Sequence, residues 1–190
     1  MSMDAQTAAR IATQPPPGPK GGEDDGGKTR GRNVAIRLAA DMRDVECMIE
    51  LGRVAHRESR FADLEYAPDK LMQSALGAMT EEGRKRMCLL MAEYRGDLLG
   101  MIVATVGSHW FSSELGASAM VYYVHPDHRG SMAAIKLLHG FRRWAQNRRV
   151  RRININVTSG VGMARTDKLM RRLGFEFTGG NYVLEMGSLR

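Results

Sequence analysis

The stretch "YVHPDHRGSMAAIKLL", residues 123–138, decides how the chain is read. Strand-forming residues run up to Pro126, which ends them. Arg129, Gly130 and Ser131 follow, and then Ile135, Leu138, Phe141 and Ala145 recur at helical spacing. The first amide N–H groups of such a helix lack intrahelical partners and point out of its positive end. Arg129 adds a guanidinium whose fork suits phosphate. Gly130 permits backbone angles that a side chain would resist, and the small Ser131, Ala133 and Ala134 allow close approach. Together these residues make a seat for a pyrophosphate. The plainer alternative is a polar turn ahead of a surface helix. Met132 stands where a phosphate loop would carry its next glycine.

The segments on either side set this turn in a larger pattern. "SAMVYYV", residues 118–124, is the strand that leads into it. Ahead lie "RMCLLMAEY" and "LLGMIVATVG", two apolar strands joined by "RGD" (95–97). The short separation and Gly96 make an antiparallel hairpin, and "RGD" is a tight turn. "NVAIRLA", from residue 33, is a first strand. Asp41 then caps a helix whose apolar face is Val45, Met48, Ile49 and Gly52. "HRESRFADLEYAP" (56–68) has no period and reads as a loop, and Pro68 opens a second helix. After the central turn come a short strand, "ININV" (153–157), and a helix through "MARTDKLMRRL", closed by Gly174. "FEFTGGNYVLEM" (175–186) gives two last strands turned at Gly179–Gly180. The order is β-α-α-β-β-β-α-β-α-β-β. It predicts an α/β (α+β) fold with a mixed, mostly antiparallel central sheet flanked by helices.

Composition bounds the function. The 190 residues are 43% hydrophobic and 26% charged, which suits one globular domain. Residues 1–32, rich in proline and glycine, read as a disordered tail and residues 33–190 as the domain. No apolar run approaches the ~20 residues of a membrane span, and the N-terminal segment lacks the apolar stretch of a signal peptide. Two cysteines, Cys47 and Cys88, make no disulfide framework, so a cytoplasmic setting is expected. No Cys/His spacing suggests a metal. The formal net charge of +7 favours anionic partners. Much of it lies in "RRWAQNRRVRR" (142–152). Trp144 alone interleaves there, so a solvated helix end is favoured over a nucleic-acid surface.

The central turn resembles that of the GNAT (Gcn5-related N-acetyltransferase) superfamily. Its signature is Gln/Arg-x-x-Gly-x-Gly/Ala in the loop between the fourth strand and the third helix. Arg129 matches the first position, Met132 stands at the glycine, and Ala134 matches the last. The spelling V-x-P-x-x-R-G from Val124 to Gly130, "GF" at 174–175 and the element order from about Val34 to Met186 match as well. The resemblance implies acetyl-CoA, or another acyl-CoA, as co-substrate, with the amides of Gly130, Ser131, Met132, Ala133 and Ala134 on the pyrophosphate. It implies that Tyr123 and Val124 bind the pantetheine arm, in a gap where their strand splays from "ININV". The acceptor would be an amine on a small molecule or protein, bordered by the loop that holds His56, Glu58 and Arg60.

The catalytic pattern of the family does not carry over. Ser118 sits about where its strand carboxylate would be, Met170 replaces its tyrosine, and Met163 its asparagine. Tyr122 and Tyr123, on opposite faces of the strand, and Glu114 ahead of it are the local catalytic candidates. Two readings follow. One is an N-acyltransferase acting on a primary amine, with a homodimer as a possible assembly. The other is a weak or inactive module on the same fold that binds acyl-CoA or nucleic acid.

Overall fold

A computed structural model of the chain describes residues 33–184. Five strands form one sheet in spatial order: β1 (Ala35–Leu38), β2 (Met87–Tyr94), β3 (Asp97–Ser108), β4 (Leu115–Val124) and β5 (Arg152–Ile155). Neighbours are antiparallel except β4 and β5, which run parallel. The helices are α1 (Met42–Glu58), α2 (Pro68–Met79), α3 (Glu81–Arg86), α4 (Ala133–Gln146) and α5 (Met163–Arg172), with a 3-10 turn at Pro126–His128.

The unbroken apolar run of β2 is explained by helices on both faces of the sheet. Cys88, Leu90 and Ala92 join Leu137, Phe141 and Trp144 of α4 and Met170 of α5 in one core. Leu89 and Met91, on the other face by strand alternation, meet Met48 and Leu51 of α1 and Ala78 of α2. Asp41 caps α1 by accepting from the Asp44 amide at 3.0 Å. Asp44 in turn binds Arg37 of β1, which holds its carboxyl near 2, below the usual range. Arg95 and Gly96 both take positive φ in the β2–β3 turn, as a tight right-twisted hairpin requires.

One irregularity shapes the rest. Along β3 and β4, Val103 faces Val121 but Ala104 faces Ala119, so Met120 is an extra residue in β4. This is a β-bulge, which bends its strand and sharpens its twist. The pairing of β4 with β5 ends at Ala119 and Ile155, beside that bulge. Residues 120–124 of β4 continue along β3 with no partner on the β5 side.

Two sequence readings are corrected and one helix is added to the expected order. Helix α1 runs through Glu58, so His56, Arg57 and Glu58 are helical and not in a loop. The segment 81–86 is a helix, α3, capped by Thr80, whose hydroxyl accepts from the Gly83 amide at 3.0 Å. Its Gly83 is needed because a Cβ there would lie 1.9 Å from the Gly77 carbonyl oxygen. The two strands expected over 175–186 are absent from residues 175–184, and the end of that segment lies outside the described residues. Phe177, Tyr182, Val183 and Leu184 are exposed, and a hairpin with no face to bury is marginal in water. The tail at 1–32 also lies outside the described residues.

Gly100 of β3 lies against the end of β4. A Cβ there would come within 2.7 Å of the Tyr123 carbonyl oxygen and 3.2 Å of Leu137 Cδ1. Gly100→Ala is therefore expected to lower unfolding stability by about 1–3 kcal/mol, the usual cost of overpacking. Urea denaturation measures it, and a loss within 0.5 kcal/mol, the range of neutral surface changes, would show that β4 yields freely.

Candidate functional site

The unpaired end of β4 opens a cleft of about 670 Å³. Its walls are Tyr122–Val124 of β4, Arg129–Ser131, the first turn of α4, the segment after β5, and one face of α5. His125 donates its amide to the Leu99 carbonyl at 2.9 Å. Alternation along an antiparallel strand then turns the peptide groups of Tyr122 and Val124 away from β3, into the gap.

The loop below has its own accounting of amides. Ser131 N–H donates to the His128 carbonyl at 3.2 Å, and Ala133 N–H to the Ser131 hydroxyl at 3.2 Å. Lys136 N–H makes the first bond to the α4 start, on the Met132 carbonyl. The N–H groups of Gly130, Met132, Ala134 and Ile135 find no acceptor among the described residues. Gly130 has φ +93° and would not easily carry a side chain there.

The five small or loop residues thus divide by role. Gly130, Ser131 and Ala134 line the cleft, but the amides of Ser131 and Ala133 are spent inside the loop. Ala133 is fully buried in the core, which is why a small residue stands there. Met132 is 41% exposed and does not line the cleft. Its side chain therefore leaves the seat open.

Arg129 is committed differently from the sequence expectation. Its Nη2 donates to Glu58 Oε2, its Nε to the Val124 carbonyl at 3.3 Å, and its guanidinium lies 5.6 Å from the Tyr123 ring centre. Tyr123 Oη donates to the same Glu58 oxygen at 2.7 Å. Burial and this bond raise the Tyr123 phenol well above its ordinary pKa. Tyr122 points to the other face, where its buried hydroxyl donates to the Ala134 carbonyl at 3.2 Å. Burial raises its pKa as well, so neither phenol ionises near neutral pH. Glu114 stands before the first residue of β4, ion-paired with Arg151 and outside the cleft. Val124 lies at the far end of the ten-residue strand, roughly 30 Å away at the usual rise.

Sequence reading missed the basic face of α5. Arg165, Lys168 and Arg172 all line the cleft, and none has an ion-pair partner among the described residues. Arg165 Nη2 lies 3.3 Å from where a Gly130 Cβ would be, beside the open amides. The signal was present as the spacing i, i+3, i+7, which puts all three on one helical stripe. Arg171, off that stripe, pairs with Asp167 instead.

Among the described residues no group of His, Cys, Asp and Glu could hold a metal ion, and no helix is long and apolar enough to cross a membrane.

Solved structures share this architecture. A transcriptional regulator from Bacillus halodurans C-125 superposes with a TM-score of 0.66 at 17% identity, over 81% of this chain and 100% of its own. Ribosomal-protein-alanine N-acetyltransferase from Brucella melitensis biovar Abortus 2308 gives 0.60 at 18%, over 80% and 99%. The aminoglycoside enzyme AAC(6′)-Iy, solved with the bisubstrate analogue CoA-S-monomethyl-acetylneamine, gives 0.63 at 17%, over 81% and 98%. At such identities the likeness is one of fold. No curated protein sequence matches the chain. The family model for the acetyltransferase (GNAT) family does match, over residues 50–175, from the middle of α1 through α5. The bulged strand, the split beside it and the amide-lined turn all fall inside that match, and the chain belongs to the GNAT acetyltransferase family.

Proposed function

We propose that the chain transfers an acyl group, acetyl as the simplest case, from an acyl-CoA thioester to a primary amine. The observation that carries this reading is the gap between β4 and β5, with peptide groups along one wall and open amides at its foot. An extended amide-bearing arm fits such a wall, as an added strand fits a sheet edge. Its pyrophosphate fits the N–H groups of Gly130, Met132, Ala134 and Ile135 at the start of α4. Glu58 compensates the charge of Arg129, so Arg165, Lys168 and Arg172 supply the uncompensated positive charge for the phosphates.

The bound ammonium first gives a proton to water. Attack of the free amine then forms the C–N bond and develops negative charge on the carbonyl oxygen, and the C–S bond breaks as the departing thiolate takes up the proton shed by the new amide nitrogen. A preformed N–H donor in the gap, Tyr122 or Val124, is suited to meet the charge on the oxygen. Holding both reactants in one narrow gap removes several kcal/mol of barrier by itself. Tyr122 joins β4 to the first turn of α4 and acts through position. Glu114 has no role in this scheme.

The reading is tested by calorimetric binding of acetyl-CoA, together with free-thiol release across a panel of amines. Saturable binding and amine-dependent thiol release are expected. Binding without release for any amine would favour an acyl-CoA-binding module, and no binding at millimolar acetyl-CoA would end the proposal.

Two substitutions separate the parts of the seat. Arg165→Ala is expected to raise the apparent KM for acetyl-CoA about tenfold, near 1.4 kcal/mol, and Arg129→Ala to raise it less. The reverse order would mean that Arg129 leaves Glu58 for the phosphate. Met132→Gly should leave acetyl-CoA affinity within about twofold and cost up to ~1 kcal/mol of stability at the helix start. A large loss of affinity would make Met132 itself a contact.

A further inference from the structure

The residues that line the cleft include three arginines and a lysine but no aspartate or glutamate. A catalytic site for amines needs something that recognises an ammonium group, and the lining itself offers only cations. One carboxylate touches the lining from behind. Glu58 is in hydrogen-bond contact with two cleft residues at once, Tyr123 and Arg129. It approaches from the α1 side of the sheet. The open amides and the basic stripe belong to α4 and α5, which pack on the opposite face. With the donor seated on the α4 and α5 side, Glu58 stands on the face from which a second reactant would have to come.

The bonding of Glu58 is one-sided. Both Tyr123 Oη and Arg129 Nη2 bind Oε2, while Oε1 accepts no hydrogen bond from the described residues. The side chain is 29% exposed. Glu58 is also the last residue of α1, where the helix dipole disfavours an anion. Local helix preference therefore does not account for a carboxylate at this point. Its partners do hold the charge in place. Burial pushes the Glu58 pKa up, but the bond from Tyr123, the bond and charge of Arg129, and the charge of His125 outweigh it, and the net shift is downward. The group is a fixed anion at neutral pH.

We propose that Glu58 is the acceptor-binding residue, taking the ammonium group of the incoming amine on Oε1, with Tyr123 and Arg129 as positioning residues that fix the carboxylate by Oε2. The acceptor class is then an amine that is protonated when it binds. This inference rests on the transferase reading. It adds the site on the second face of the sheet and the charge state of the acceptor. Charge compensation explains why Arg129 faces Glu58: an unpaired carboxylate would repel the phosphates of the donor, and an unpaired guanidinium would repel the acceptor.

The test uses the full chain, with acetyl-CoA binding by calorimetry and thiol release with spermidine, neamine and a lysine-containing peptide. Hydroxylamine serves as an amine that is uncharged at neutral pH. Glu58→Gln is expected to raise KM for the best ammonium-bearing probe by about tenfold or more, while KM for hydroxylamine and acetyl-CoA affinity stay within about twofold. A second pair of variants checks positioning. Tyr123→Phe and Arg129→Ala each remove an influence that lowers the Glu58 pKa, so protonation of Glu58 moves to higher pH. The loss of amine affinity on acidification should begin at higher pH in both than in the wild type. A purely structural role would not move that profile. Equal effects of Glu58→Gln on charged and uncharged amines would overturn the inference, as would an unchanged KM. So would wild-type protein that binds acetyl-CoA but turns over none of the three ammonium-bearing probes. Absence of acetyl-CoA binding would overturn the transferase reading, and this inference with it.

Discussion

A single extra residue in β4 governs the site. With Met120 bulged out, β4 bends at the point where β5 stops pairing, and residues 121–124 go on paired with β3 only. β5 ends at Ile155, so no strand on that side reaches Tyr122 and Val124. The split leaves the Tyr122 and Val124 N–H groups open, while Arg129 Nε holds the Val124 carbonyl, and open peptide groups in a cleft are what an extended ligand can pair with. The strand's exit point is fixed in turn by its neighbours. Gly100 admits the Tyr123 carbonyl, and Tyr122 ties the strand to the first turn of α4. The end of β4 is therefore tied directly to the start of α4.

Charge is distributed in the same orderly way. The protein carries a formal +7, but most surface cations are irrelevant to the cleft. Arg148, for example, is spent on the carbonyls of Arg84, Lys85 and Trp144 and on the Trp144 ring. That cluster, "RRWAQNRRVRR", acts in part as a brace between α4 and α3. Three cations on one stripe of α5 line the cleft without ion-pair partners among the described residues, and Arg165 stands beside the open amides. Arg129, the most conspicuous basic residue in the loop, is neutralised by Glu58 and belongs to the junction of the two faces.

The sequence made the central turn legible because proline, glycine and helical spacing are local signals. Asp41, Pro68, Gly96 and Gly174 each ended or began an element for local reasons and stand where they were expected. What stayed hidden depends on tertiary placement. Arg165 and Lys168 look like any solvated helix face until α5 is laid against the cleft. Glu58 was set near the acceptor by the family resemblance alone, and its contact with Tyr123, 65 positions away, comes only with folding. Gly83 disguised α3, since a helix-breaking residue there is demanded by the Gly77 carbonyl and not by a turn. Glu114 was the converse case. Proximity to β4 in sequence suggested the cleft, but it stands at the wrong end of the strand.

The claim on which all else depends is that acyl-CoA occupies the split between β4 and β5 by pairing with particular backbone groups. Amide hydrogen exchange, resolved by residue with and without acetyl-CoA, tests it most directly. Ligand should slow exchange at Tyr122, Val124, Gly130, Met132, Ala134 and Ile135. Ser131 and Ala133 should change little, because their amides are already bonded within the loop. Protection confined to other parts of the chain, or none at the open amides under saturating acetyl-CoA, would contradict the account.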